Sequence, residues 1–197
     1  MGSDILSGLR PAVVLTLLLT ILTCGIYPLA VMGFGKLVFP HQANGSLIVD
    51  RTGVVGSELI GQSFTTARYF NSRPSAAGKG YDATASSGSN LGPTSKSLVE
   101  RIKGDIALRR SQGMTGAVPA DLVTASASGL DPDLSPAAAL AQVPRVARAR
   151  GLAQDDVRAM VVQGTEHPWL GFIGEDHVNV LALNRRLDAR AGPAPTR

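Results

Sequence analysis

The chain has 197 residues, 19 Lys and Arg against 15 Asp and Glu, and a formal net charge of +4. Its one cysteine, Cys24, excludes a disulfide framework, and three scattered histidines (His41, His167 and His177) have no ligand spacing, so no metal site is expected. Cations are dispersed and aromatics make up only 5% of residues, which counts against single-stranded nucleic acid as a partner.

Residues 11–35, "PAVVLTLLLTILTCGIYPLAVMGFG", carry no charged side chain. As a helix this stretch would be about 37 Å long against a hydrocarbon core of about 30 Å, long enough to span a bilayer with some tilt. A secretory signal has a shorter apolar region, about 7 to 15 residues, and a small-residue cleavage site that is missing here. The reading is therefore a short N-terminal segment at 1–10, a retained transmembrane helix at 11–35, one mixed α+β soluble domain at 36–190, and a disordered tail at 191–197. Arg10 and the amino terminus lie on one side of the span and Lys36 on the other, a thin positive-inside margin. Long C-terminal domains translocate largely regardless of charge, so the amino terminus is expected in the cytoplasm and the body outside it.

Residues 46–56 read as two short strands joined by a turn at 50–53, with Asp opening and Gly closing it. Residues 68–92 are loop-like, an unusual length for a compact domain. The Gly and Ser-rich end of that loop, "SSGSNLGPT", lacks the glycine spacing and the Lys of a phosphate loop and reads as the lead-in to a helix. Ser97 and Glu100 have capping-box spacing, with Thr94 as an alternative cap, and Leu98, Val99, Ile102 and Ile106 form an apolar stripe that runs toward Gly113. The next helix starts with Ser135 as N-cap and Pro136 at its first position, ends at Gly151, and should bend or break at Pro144. "DDVRAMVVQG" gives a third helix, with early acids suited to the dipole and Gly164 after its end. "HVNVLALN", residues 177–184, reads as a strand followed by a short helical turn. Strands and helices without a regular βαβ repeat give the α+β assignment.

Candidate chemistry is sparse. "VTASASGLDP" offers serines without a nucleophile elbow or a placed histidine, so Ser126, Ser128 and Gly129 read as a close turn leading through Asp131-Pro132 into the next helix. Gln142 sits in mid-helix two residues before Pro144; its carboxamide suits a ribose hydroxyl or a purine edge, although a helical glutamine more often faces water.

The literal wording of several stretches goes further. "LRP", "YPL", "QANGSLI", "GQSF", "YFNSRPSA", "SSGSNLGPT", "VPADLVTASASGLDP", "QVPRVARARG" and "VNVLALN", in this order, resemble the C-subunit family of the Kdp complex, the bacterial high-affinity potassium-transporting P-type ATPase. Departures are small: Ala153 stands where a capping serine or threonine is usual, and the second serine of "SSGSN" where the family mostly has glycine. The resemblance implies a non-catalytic accessory subunit that stabilises the assembly in the bacterial inner membrane. Its partners would be a channel-like A subunit, an ATP-hydrolysing B subunit and a small single-span F subunit, with the lipid bilayer around the anchor. It also implies an alternative, a catalytic chaperone that raises the B subunit's affinity for ATP, with Gln142 assigned to nucleotide contact. ATP then enters at the level of the complex, and no cofactor of its own is expected. The two implications conflict, because ATP is cytoplasmic and a body outside the membrane cannot touch it.

Overall fold

A computed structural model describes the backbone of residues 2–51 and 53–191 and the side chains of residues 7–51 and 53–190. The chain divides into two compact units, residues 1–54 and 55–197.

The first unit is dominated by helix. Helix α1 (Gly2–Thr20) runs into a π-helical turn, Ile21–Ile26, and continues as α2 (Tyr27–Val38). The π-turn has a local cause. Pro28 has no N–H and would press on the carbonyl one turn back, and the widened turn, in which Tyr27 N–H reaches Leu22 C=O, relieves that contact. Thr23 adds a bond from its hydroxyl to Leu19 C=O at 2.7 Å. The apolar stretch 7–38 is helical throughout and no part of its most apolar window is buried, so the helix extends beyond both expected ends. It stops at Phe39, whose φ of −129° is no longer helical, as the residue before a proline prefers. A short helix, α3 (Pro40–Ala43), follows.

Strands β1 (Leu47–Asp50) and β2 (Gly53–Ser57) form the expected two-stranded sheet, and Gly53 takes a φ of 124° that favours glycine. The long segment after them is irregular apart from a 3-10 turn at Ala83–Ala85, opened by Asp82, whose carboxylate accepts from Thr84 N–H at 2.9 Å.

Helix α4 (Lys96–Ser111) is capped by neither Ser97 nor Thr94 but by Ser95, whose hydroxyl accepts from Leu98 N–H. Leu98, Ile102 and Ile106 are half-buried while Val99 is exposed, and Arg109 is the helix's one buried side chain. Ser135 caps α5 (Pro136–Arg150) as expected, and Gly151 closes it in the left-handed region at φ 68°. The helix is not split at Pro144. That residue lies on its exposed side, while Ala138, Ala139, Val143, Val146 and Ala147 are buried. Helix α6 (Gln154–Gln163) starts at Ala153 without a side-chain cap and buries Val157, Met160 and Val161.

A three-stranded antiparallel sheet has the order β3 (Asp133–Leu134), β5 (His177–Asn179), β4 (Thr165–Glu166), with Val178 opposite both Leu134 and Thr165. The expected strand at 177–184 is corrected here: only 177–179 is strand, and Val180–Ala191 is helix α7. Asn179 starts that helix by accepting from Ala182 N–H at 3.0 Å, and the buried positions Val180, Leu183, Asn184 and Leu187 recur at helical spacing. Leu134, Val143, Val146, Val157, Val161, Val178, Leu183 and Leu187 form one core with Phe70, which comes from the irregular segment. The expected tail lies outside the described residues except for the backbone of Ala191, which ends α7.

Candidate functional site

Gln142 sits on the apolar face of α5, in register with Ala139, Val143 and Val146, and is 1% exposed. A carboxamide there must find partners for two donors and two acceptors. Its Oε1 accepts from Asn71 N–H at 2.9 Å and from Arg145 Nη2 at 2.6 Å. Its Nε2 donates to Asn71 C=O at 3.1 Å and, more weakly, to Ala138 C=O at 3.4 Å. The hydrogen-bonding capacity of Gln142 is thus filled inside the fold.

Asn184 of α7 treats the preceding residue in the same way. It accepts from Phe70 N–H at 2.8 Å and donates to Phe70 C=O at 3.0 Å. Two buried carboxamides from two helices therefore hold the segment 70–71 as flanking strands would. Arginines of α5 extend the clamp: Arg145 donates to Ala67 C=O at 2.9 Å and Tyr69 C=O at 3.0 Å, and Arg150 to Arg68 C=O at 2.7 Å. Arg150 also pairs with Asp188 at 2.8 Å and lies 4.8 Å from the centre of the Tyr69 ring, whose hydroxyl donates to the other Asp188 oxygen. Burial, then the charge of Arg109, pulls the Arg145 guanidinium down to about 10.

On the far side of Asn71 lies a cleft of about 360 Å³, lined in part by Gln62, Ser72, Arg73, Tyr81, Asp105 and Arg109. Arg109, 8% exposed, donates to Asn71 Oδ1 at 3.0 Å and Gln112 Oε1 at 3.3 Å, and burial lowers its pKa. Burial raises Asp105 above the usual carboxylate range, against the opposing charge of Arg101. Tyr81, also pushed up by burial, donates to Arg73 C=O at 2.6 Å, and Arg73 pairs with Asp131 at 2.9 Å. These bonds join the cleft wall to the serine-rich turn, where Ser126 accepts from Gly129 N–H at 2.8 Å and Asp131 from Asp133 N–H at 3.0 Å, as its sequence implied. The "SSGSN" stretch packs on the same turn. Ser87 N–H and the Ser86 hydroxyl both donate to Ser128 C=O, and Ser75 Oγ donates to Gly129 C=O at 2.6 Å. The quoted motifs are thus contact partners, a network that sequence reading left as separate pieces.

Of the residues singled out beforehand, Gln142 is in the network and the serines form a turn. Asn71, Asn184, Arg109 and Arg145 were missed. A polar residue at an apolar helical position, as Gln142 and Asn184 both are, was the available signal.

Among the described residues one helix, within residues 7–38, is long and apolar enough to cross a membrane, and an α+β body follows it, which is the class the fold defines. Residues 9–189 match the family described as "KdpC: K+-transporting ATPase, c chain". The chain belongs to this family. Among its relatives, the potassium-transporting ATPase KdpC subunit of Caulobacter vibrioides (strain NA1000 / CB15N) is 58% identical over 95% of this chain and 96% of its own length. The KdpC subunit of Polaromonas naphthalenivorans (strain CJ2) is 58% identical over 92% of this chain and 94% of its own, and that of Rhodopseudomonas palustris (strain BisB5) 52% identical over 93% and 98%.

Proposed function

We propose that this chain is a non-catalytic accessory subunit of an ATP-driven potassium importer, which holds the assembly together through its anchor helix and its body. The reading places the amino terminus in the cytoplasm and the body outside the inner membrane. Its partners are the channel-like A subunit, the ATP-hydrolysing B subunit and the small F subunit. One observation carries it: the side chain that the resemblance assigns to nucleotide contact, Gln142, is 1% exposed and bonded to Asn71, Arg145 and Ala138. A nucleotide could recruit it only by releasing two buried peptide groups of Asn71, at a cost of about 1 to 3 kcal/mol each. The relatives' names support the setting, a potassium-transporting ATPase.

The test is topological. Glu100 is exposed on α4, and the chain's only native cysteine, Cys24, lies in the anchor. A Glu100→Cys variant treated on intact cells with a membrane-impermeant maleimide should be labelled without permeabilisation. Labelling only after permeabilisation would place the body with ATP and favour the chaperone alternative.

A further inference from the structure

The connection between β4 and β5, "HPWLGFIGED", presents its apolar side chains to solvent. Trp169, Leu170, Phe172 and Ile173 are 71%, 64%, 75% and 53% exposed. Of the nine large apolar side chains exposed on the described residues 55–190, these four fall within five residues, so the exposure is a cluster and not the scatter normal for a surface. The loop is also built. Trp169 and Ile173 pair as an antiparallel bridge, Gly171 N–H reaches Pro168 C=O at 3.0 Å, and Ile173 N–H reaches Trp169 C=O at 3.1 Å. Leu170 is held at φ 55°, a left-handed conformation that a bulky residue rarely adopts, and His167 and Asp176 tie the base at 2.8 Å. A fixed turn displaying Trp and Phe has little ordering cost on association and carries the side chains that dominate protein interfaces.

The charges around the tip select the occupant. Residues 166–177 contain Glu166, Glu175 and Asp176 and no Lys or Arg. A tip entering a bilayer surface, which is anionic, is expected to carry cations at its base. We infer that the 168–173 tip inserts into an apolar hollow of a partner protein whose rim carries Lys or Arg. This rests on the reading of the chain as one subunit of an assembly, and the experiment separates the two.

The full chain, with the photo-crosslinker p-benzoylphenylalanine placed at position 172, is expressed with the other subunits of its own complex and irradiated. The expected result is an adduct with another protein of that complex, mapped to an apolar segment flanked by Lys or Arg, while the probe at exposed position 99 gives none. The combined Trp169→Ser and Phe172→Ser variant, folded by circular dichroism, should copurify at least about tenfold less than the unaltered chain. An adduct with lipid, or loss of variant binding to phosphatidylcholine–phosphatidylglycerol vesicles without a protein adduct, overturns the inference in favour of the membrane. An adduct with a second copy of this chain, or no adduct together with unchanged copurification, also overturns it. Failure of the unaltered chain to copurify counts instead against the accessory-subunit reading.

Discussion

Gln142 and Asn71 close a two-bond ring in which the side chain of one residue pairs with both main-chain groups of the other, at 2.9 and 3.1 Å. Asn184 makes the same ring with Phe70 at 2.8 and 3.0 Å. In a sheet, successive residues direct their peptide groups to opposite neighbours, and here the neighbours are a carboxamide from α5 and one from α7. Phe70 can therefore enter the core without a strand on either side, its backbone satisfied by side chains.

Removing either carboxamide should unlatch the segment. Gln142→Ala leaves the Asn71 N–H and C=O buried without these partners, and Asn184→Ala does so for Phe70, at about 1 to 3 kcal/mol per orphaned group. Both rings hold one stretch of chain, so the double variant should cost less than the sum of the singles, with a coupling of about 0.5 to 3 kcal/mol. Urea melts of the four proteins in detergent measure this, and strict additivity would show that the rings act independently.

Gly129 should tolerate no side chain. Its φ is 68°, and a Cβ would meet Ala77 N and Ser87 O at 2.7 Å, where the serine-rich turn packs against the irregular segment. Gly151 has the same φ of 68° with no atom within 4 Å of that position. Gly151→Ala should cost about 1 to 2 kcal/mol for the conformation alone. Gly129→Ala adds the backbone clash and should cost clearly more. Equal melting shifts for the two would mean that the close approach is unimportant.

The pattern of legibility follows from where partners lie along the chain. Ser135-Pro136 and Gly151 bound α5 through local chemistry, and both ends were readable. The long apolar helix was readable from length and composition alone, though the π-turn ahead of Pro28 was not sought. The strand expected at 177–184 failed because alternation and helical spacing overlap in a short apolar run. Val178 and Val180 fit either, and only Leu183, Asn184 and Leu187 favour the helix that Asn179 starts. The clamp around Phe70 and Asn71 was out of reach, since its bonds join residues 71 and 114 positions apart. No local pattern encodes such a pairing.

His177 gives the body a pH dependence with a definite sign. Its pKa is raised above 6.5, first by the hydrogen bond to Glu175 C=O, against the lowering effect of burial, and then by the charges of Asp133 on β3, Glu166 on β4 and Asp131. Glu166 stands directly opposite in the sheet, 3.7 Å away. A folded-state value above the unfolded one means that protonated His177 stabilises the fold fully below about pH 6.5, and that this contribution fades as pH rises through the folded value. The gap in melting temperature between the unaltered chain and His177→Gln should be wider at about pH 5.5 than at about pH 8.5. A gap that widens with rising pH would reverse the sign and refute the assignment.

The ATP dependence of the assembled transporter distinguishes a clamp from a nucleotide contact. A lost neutral hydrogen bond to ribose or purine is worth roughly 0.5 to 1.5 kcal/mol, or about a two- to twelvefold weaker ATP affinity. Gln142→Ala also disturbs the fold, so a shift in that variant alone is ambiguous. Asn184→Ala resolves the ambiguity, because it opens the matching ring on the adjacent residue without touching the Gln142 carboxamide. With both complexes shown intact by size-exclusion chromatography, a clamp predicts that the apparent KM for ATP stays within about twofold of the unaltered complex in each. A larger shift confined to Gln142→Ala would assign that carboxamide to the nucleotide and put the body on the cytoplasmic side. A shift shared by both variants would trace to loosening of the segment at residues 70–71, an indirect effect that the accessory reading accommodates.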